Sequence, residues 1–326
     1  MIGIDNWLES KNQYPKISVI TPTYNRAPFL PRVWQSLKVQ TEEDFEWIIV
    51  DDGSTDNTHQ IVQQLQKEDN RIRYIRLPEN RGVNFARAKG VDQSKTPYIV
   101  FLDSDDMLYD RYILKMMLDE IEATANDIGA VAFTVVNEQG IPMSFLEQER
   151  MVLGYKEIVC EQKARGEFIM ICKKQYLNAA PWSPYQGLEC LHHFARARYY
   201  QVLYINRPGR IYYSDASNKL TSVTSALKRA NQMAEGCLRL IKDHGETWRN
   251  CCPKQLGRYL FYAGMYFALA GQTRKAITCV FQSLQNNGPL LKNIVLLTAC
   301  LVPPSARRFL FFFRHCWKTR LDKMVF

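Results

Sequence analysis

The segment Ile99-Val-Phe-Leu-Asp-Ser-Asp-Asp106 ends an apolar run in three acidic residues, Asp103, Asp105 and Asp106. Carboxylates do not gather at a strand end for packing. Ionised oxygens are costly to desolvate and repel one another unless a cation or a set of donors holds them. A divalent cation meets that need. The oxygens of a D-x-D such as Asp103 and Asp105 can converge on Mg²⁺ or Mn²⁺ from one turn and leave sites open for a diphosphate. The competing reading is a helix start, with Asp105 or Asp106 capping a helix over Tyr109–Ala123.

Two more strand ends carry polar turns. Lys16-Ile-Ser-Val-Ile-Thr21 reads as a buried strand running into Pro22-Thr-Tyr-Asn-Arg26, and Phe45-Glu-Trp-Ile-Ile-Val50 runs into Asp51-Asp-Gly-Ser-Thr-Asp56. In an open parallel α/β sheet the carboxyl ends of the strands line one crevice, where ligands bind. The acidic cluster is expected to face that crevice too.

Four segments now carry a family resemblance: Pro22-Thr-Tyr-Asn-Arg26, Val50-Asp-Asp-Gly-Ser-Thr-Asp56, Glu79-Asn-Arg-Gly82 with Ala86-Arg87, and Phe101-Leu-Asp-Ser-Asp-Asp106. Their order and spacing resemble those of family 2 inverting glycosyltransferases of the GT-A fold, over roughly residues 15–215. The resemblance implies transfer of a sugar from a nucleotide-diphosphate sugar, a UDP-sugar first, to an acceptor hydroxyl. The setting it implies is assembly of cell-surface polysaccharide or glycolipid. It implies Mn²⁺ or Mg²⁺ on Asp105 with Asp103 or Asp106. Asp52 would accept from the N–H of a uracil-like ring and Tyr24 would stack on the base. Pro22 and Thr23 would border that pocket, and Arg26 and Ser104 belong to the same donor site. Asp51 would instead hold its loop, and Asp56 would cap the next helix. Arg81 and Arg87 could clamp phosphate oxygens, a surface ion pair being the alternative for Arg81.

An inverting transfer also needs a general base for the acceptor proton. The family places it in an acidic pair opening a helix, with an arginine about two turns later. The matching segment is Gly187-Leu-Glu-Cys-Leu-His-His-Phe-Ala-Arg196. Glu189 takes the first acidic position, Cys190 replaces the second and Arg196 keeps its spacing. Glu189 is therefore assigned as base, with His192 the other candidate, since imidazole titrates near neutral pH.

The first half alternates strand and helix. Strands are expected at Lys16–Thr21, Phe45–Val50, Ile72–Leu77, Tyr98–Leu102 and Ile128–Val136, and helices at Pro28–Lys38, Asp56–Lys67, Asn84–Gln93 and Tyr109–Ala123. This is the pattern of a mostly parallel, nucleotide-binding α/β sheet flanked by helices. Gly140–Tyr213 is less regular, and the resemblance assigns the acceptor pocket there. From Ser222 strand signals vanish: helices are expected over Ser222–His244, Pro253–Ala270, Thr273–Asn286 and Pro289–Leu301, with breaks at Gly245, Gly271 and Gly288-Pro289. The expected division is a catalytic domain over 1–220 and a helical C-terminal region over 221–326. Tyr262–Gly271 with Lys275-Ala276 and Ser283-Leu284 is similar to one tetratricopeptide-like hairpin, but a single copy makes no repeat array.

The chain has 326 residues, 46% apolar and 23% charged, as in an ordinary globular protein of more than one core. Its formal charge of +9 favours acidic ligands or an anionic membrane surface. Nucleic acid is not expected as a partner, because no recognition motif accompanies the charge. Nine cysteines without a C-x-x-C pair read as reduced thiols of a cytoplasmic protein, with neither a zinc site nor a disulfide framework. No signal peptide is visible, and the apolar stretch Ile294–Pro303 is too short to span a bilayer. Residues 305–320 interleave aromatics and cations, as interfacial helices do, so peripheral contact at the inner face of the membrane stands beside plain packing of the aromatics. A lipid-linked acceptor would make that contact useful.

Two other function classes remain in view. One is a catalytically inactive nucleotide-sugar-binding or scaffold protein, which Cys190 makes relevant. The other is a sugar-1-phosphate nucleotidyltransferase, which would want a glycine-rich phosphate loop near the N-terminus; none is present.

Overall fold

The structure is a computed structural model and describes residues 14–185, 187–188, 190–215 and 227–307. Strand β1 (Ile17–Thr23) is buried along its whole length, as is β2 (Phe45–Asp51); both are mainly apolar, and their buried Ser18 and Glu46 are satisfied by each other, the hydroxyl donating to the carboxylate at 2.5 Å. They pair in parallel with Thr23 opposite Asp51, which sets their polar turns side by side. Strand β3 (Ile72–Arg76) joins β2 in parallel, and β4 (Tyr98–Phe101) joins β1 in parallel with Phe101 opposite Ile20. Helices α1 (Leu30–Lys38), α2 (Thr58–Glu68) and α3 (Val83–Gln93) connect them. At Gly90 a Cβ would fall 2.5 Å from Ile20 Cγ2, so glycine lets the α3 backbone lie directly on β1.

Beyond β4 the sheet becomes mixed. Its order is β3-β2-β1-β4-β10-β6-β11-β5, with β8 also on β11. Here β5 is Met107–Leu108, β6 is Ile128–Asn137, β8 is Arg150–Leu153, β10 is Phe168–Lys173 and β11 is Gln201–Tyr212. Strand β10 runs antiparallel to β4 and β6, while β11 runs parallel to β6. A separate two-stranded sheet pairs β7 (Ser144–Leu146) with β9 (Ala164–Gly166). Helix α4 (Ile113–Glu122) buries Ile113, Leu114, Met117, Leu118 and Ile121 in the sheet's core, beside the stacked Trp34 and Trp47. The region 140–213, hard to place by pattern, thus supplies β7 to β11, with α5 at Lys174–Asn178 and α6 at Cys190–Arg196.

The C-terminal helices are α7 (Ala230–Cys251), α8 (Pro253–Leu269), α9 (Thr273–Gln285) and α10 (Leu290–Ala299). Their core holds Ala263, Phe267, Ala276 and Val280. The chain divides into two compact units: Met1–Gly154 with Lys163–Trp182 and Ala195–Ser214, and Tyr155–Gln162 with Ser183–Phe194 and Asp215–Phe326. No helix among the described residues is long and apolar enough to cross a membrane.

Three expectations are corrected. The helix expected from Tyr109 starts at Ile113 behind Tyr112, so neither Asp105 nor Asp106 caps it; Met107 and Leu108 pair with β11 instead. Gly245 does not end a helix. It lies inside α7, and the break falls at Cys252-Pro253, where proline at the first helical position has no N–H to satisfy. The cysteines are not all unpaired: Cys160 and Cys252 form a disulfide across 92 residues. Spacing could not reveal it, because the fold brings the segment before β9 to the α7–α8 junction. The residues before 227 in the helix expected from Ser222, and the tail from 308, lie outside the described residues.

Candidate active site

The first two turns are locked together by side chain to backbone bonds. Thr23 ends β1 with its carbonyl accepting from the Asp52 N–H at 2.8 Å. Asn25 sits at φ 52° and its Oδ1 accepts from the N–H groups of Thr55 at 2.8 Å and Asp56 at 3.3 Å. Asparagine tolerates that backbone region better than most residues. Asp51 holds its own turn, accepting from Ser54 N–H and from the Tyr74 hydroxyl. Asp56 accepts from Thr58 N–H and from Ala27 N–H, one residue ahead of the helix cap position at Asn57.

Asp52 reaches the other way. Its Oδ1 accepts from Arg81 N–H at 2.8 Å and its Oδ2 from Gly82 N–H at 2.7 Å. Burial pushes this carboxyl up, and those two backbone donors pull against it. Each oxygen keeps a second lone pair for a ligand. Gly53 permits the approach: at φ 76° a Cβ would stand 2.8 Å from the Glu79 carbonyl carbon. Tyr24 is 39% exposed beside this turn. Arg81 is exposed with its guanidinium 3.6 Å over the Phe85 ring, and it makes no ion pair among the described residues.

At the end of β4 the acidic turn is closed by the Asp106 N–H donating to the Asp103 carbonyl at 3.2 Å. Ser104 is buried inside it. Three arginines from distant segments neutralise three carboxylates. Arg87 Nη2 donates to Asp103 Oδ1 at 2.8 Å, and Arg26 Nη1 to Asp105 Oδ2 at 2.5 Å. Arg210, 7% exposed in its side chain, lies 3.1 Å from Asp103 Oδ2 and 3.2 Å from Asp106 Oδ2, and also pairs with Glu167. Asp106 Oδ1 accepts from Tyr213 N–H. Burial pushes Asp106 up to about 7 against the pull of Arg210. For Asp103 burial is outweighed by Arg87 and Arg210, which hold it below the usual range.

Arg32, Arg210 and Tyr213 were not legible as site residues. Arg32 donates to the Asp105 carbonyl and lies 3.9 Å over the Tyr213 ring. Arg210 arrives because β11 pairs antiparallel with β5, setting Arg210 opposite Leu108. The local run Asn206-Arg-Pro-Gly-Arg210 held no signal to separate Arg210 from the exposed Arg207.

Glu189 lies outside the described residues. His192 is buried, and its Nδ1 accepts from the Ser183 N–H at 3.1 Å. A neutral imidazole accepting at Nδ1 carries its proton on Nε2, so it has no lone pair left to take another. That argues against His192 as base. Arg196 is buried with its guanidinium 4.5 Å over Trp182 and Nε donating to the Leu177 carbonyl.

The site has unmet donors. Arg87 Nε, Arg210 Nε and the Thr23 hydroxyl are buried without a hydrogen-bond partner among the described residues. Buried polar groups of this kind ordinarily meet a ligand or water.

Comparison with known proteins settles the class. A model described as glycosyl transferase family 2 matches residues 18–174. A GalNAc(5)-diNAcBac-PP-undecaprenol beta-1,3-glucosyltransferase of Campylobacter jejuni is 30% identical over 302 residues, covering 89% of this chain and 94% of that protein. The chain belongs to glycosyl transferase family 2. It is a nucleotide-sugar glycosyltransferase with the GT-A fold. A putative teichuronic acid biosynthesis glycosyltransferase of Bacillus subtilis is 35% identical over 132 residues, 40% of this chain and 52% of that one. Among solved structures, S. aureus TarS 1-349 in complex with UDP-GlcNAc aligns with TM-score 0.59 at 19% identity, covering 90% of this chain and 89% of that one. The mannosyltransferase PcManGT from Pyrobaculum calidifontis, in complex with GDP-Man and Mn²⁺, aligns with TM-score 0.52 at 18% identity over 94% and 88%. These two likenesses show the fold.

The acidic turn suits a hard cation in part of its donor set. Both oxygens of Asp103 and of Asp106 are engaged, whereas Asp105 Oδ1 accepts no hydrogen bond among the described residues. Among the described residues no three carboxylate groups bring oxygens within 4.8 Å of one another there. A chain offering one such oxygen suits Mg²⁺ or Mn²⁺, which complete their shells with substrate phosphates and water.

Proposed function

We propose that this glycosyltransferase moves a sugar from a UDP-sugar to a hydroxyl of a lipid-linked carbohydrate, with inversion and with Mn²⁺ or Mg²⁺ held by Asp105. The observation that carries this reading is the combination at the end of β4: an uncommitted carboxylate oxygen on Asp105 beside buried, unpartnered donors on Arg87 and Arg210. Cation ligand and anion donors together match a metal–diphosphate. Asp103 and Asp106 then serve by fixing Arg87 and Arg210 rather than as ligands. When bound, the cation supplies charge neutralisation for the departing diphosphate. Asp52 and Tyr24 would take the base, with Pro22 and Thr23 at its border and Ser104 and Arg26 beside the phosphates. Arg81, which makes no ion pair among the described residues, would be available to them as well. The lipid-linked acceptor is supported by the name of the Campylobacter relative, whose 94% coverage makes it comparable over nearly its whole length. On this reading the enzyme works at the cytoplasmic side of a membrane, and the lack of any helix among the described residues able to cross one is compatible with that.

In the transfer, the acceptor oxygen bonds to the anomeric carbon, the bond from that carbon to the diphosphate oxygen breaks, and the acceptor proton passes to Glu189. A second reading, a nucleotide-sugar binder without turnover, is favoured by Cys190 at the second acidic position, since a thiol is a poor substitute for a carboxylate. Acceptor-dependent release of UDP separates the two. Glu189→Gln is expected to lower that release by about 10²-fold or more and to leave UDP affinity unchanged. Near-normal turnover would move the base elsewhere.

A further inference from the structure

Helix α10 is apolar on two sides. Asn293, Leu296 and Cys300 are buried. On the other side Leu290, Leu291, Ile294, Val295 and Leu301 are 60%, 79%, 47%, 55% and 86% exposed. At about 100° per residue the four of these inside the helix fall on one arc, interrupted only by the small hydroxyl side chain of Thr298, and Leu301 follows in the turn just past the helix end. Single exposed leucines are ordinary, but a contiguous apolar face on a helix is an interaction surface.

Charge identifies what it meets. From Asn287 to Leu321 the chain has no Asp or Glu and six Lys or Arg: Lys292, Arg307, Arg308, Arg314, Lys318 and Arg320. Arg307 is spent inside the fold, donating to the carbonyls of Ala299, Cys300 and Val302, where it closes the end of α10. Of the other five, Lys292 lies within α10, and Arg308, Arg314, Lys318 and Arg320 follow it in sequence, outside the described residues. A protein partner with an apolar groove does not require a segment devoid of acids. An anionic bilayer does, because each carboxylate near it is repelled and each cation attracted.

We infer that the exposed arc of α10 seats this protein on an anionic lipid surface. The apolar side chains enter the headgroup boundary and Lys292 remains at its edge. This would hold the enzyme where a lipid-linked acceptor is presented, yet it does not depend on the donor-site reading, since vesicle binding and nucleotide binding are separate readouts.

The test is co-sedimentation of the full chain with phosphatidylglycerol–phosphatidylethanolamine vesicles at low and high salt, for wild type and for Leu291→Glu with Val295→Glu. Both positions are more than half exposed, so the fold should be kept, and an unchanged unfolding midpoint checks this. Wild type is expected to pellet at low salt and to be released by salt, with partitioning about tenfold or more weaker in the double variant. Its UDP response should be unaltered. Wild type that ignores the vesicles, or a double variant that binds as wild type does, overturns the inference. A wild-type dimer that the double variant splits, with vesicle binding unchanged, overturns it in favour of a second copy as occupant.

Discussion

Replacing Arg210 by methionine is expected to cost about 3–5 kcal/mol of folding stability, the usual consequence of removing one partner from a buried ion cluster. Asp106 is 2% exposed and Arg210 is its charge partner at 3.2 Å. Methionine keeps most of the volume, so the loss reports charge rather than a cavity. The pH dependence gives a sharper signature. Burial already raises the folded Asp106 carboxyl to about 7, above its ordinary value. A raised folded pKa contributes stability fully present below the unfolded pKa and lost as pH rises through the folded one, here between about pH 4 and pH 7. Arg210 lowers the Asp106 pKa, so its removal raises it further and extends the loss above pH 7. Urea unfolding in EDTA should therefore show a larger penalty for Arg210→Met at pH 8 than at pH 5. A penalty under about 1 kcal/mol, or one independent of pH, would mean that the cluster is not compensated as described.

Asp105→Asn should act on chemistry instead. The side chain accepts from Arg26 alone among the described residues, and no cap or strand bond depends on it. Asparagine keeps a side-chain oxygen that can accept from Arg26, whose pair with Asp105 is 12% and 15% exposed, so folding should lose less than in Arg210→Met. If its second oxygen holds the divalent cation, turnover should fall by about 10³-fold, because a metal supplies several kcal/mol of charge stabilisation and each 1.36 kcal/mol is tenfold in rate. UDP affinity, measured by calorimetry with and without Mn²⁺, should lose its metal dependence. Unchanged turnover and unchanged metal dependence would remove Asp105 from the ligand role.

The first four strands were legible because each couples an apolar run to a polar turn within a few residues, and both signals are local. Strands β1 to β4 accordingly appear within one or two residues of their expected ends. The carboxylates of the acidic turn were legible for the same reason. Their counter-charges were not, except Arg26 and Arg87 as general donor-site residues. Arg210 lies over a hundred residues from Asp103 and meets it only through the β11–β5 and β11–β6 pairings, which no local pattern encodes. Asp52 shows a related gap: the resemblance implied a base contact, and the structure adds two bonds from the Arg81 and Gly82 backbone that also make it a loop anchor. The Cys160–Cys252 disulfide and the passage of α7 through Gly245 were hidden similarly, by contacts between distant segments and by a glycine that helix packing tolerates.

The most direct measurement is thermal unfolding of the wild-type protein against UDP, GDP and other nucleoside diphosphates, each with and without Mn²⁺, since a ligand that binds only the native state raises the midpoint. The account predicts a rise with UDP that needs Mn²⁺ and is absent in Asp105→Asn. No rise with any nucleotide, or a preference for GDP indifferent to metal, would contradict it.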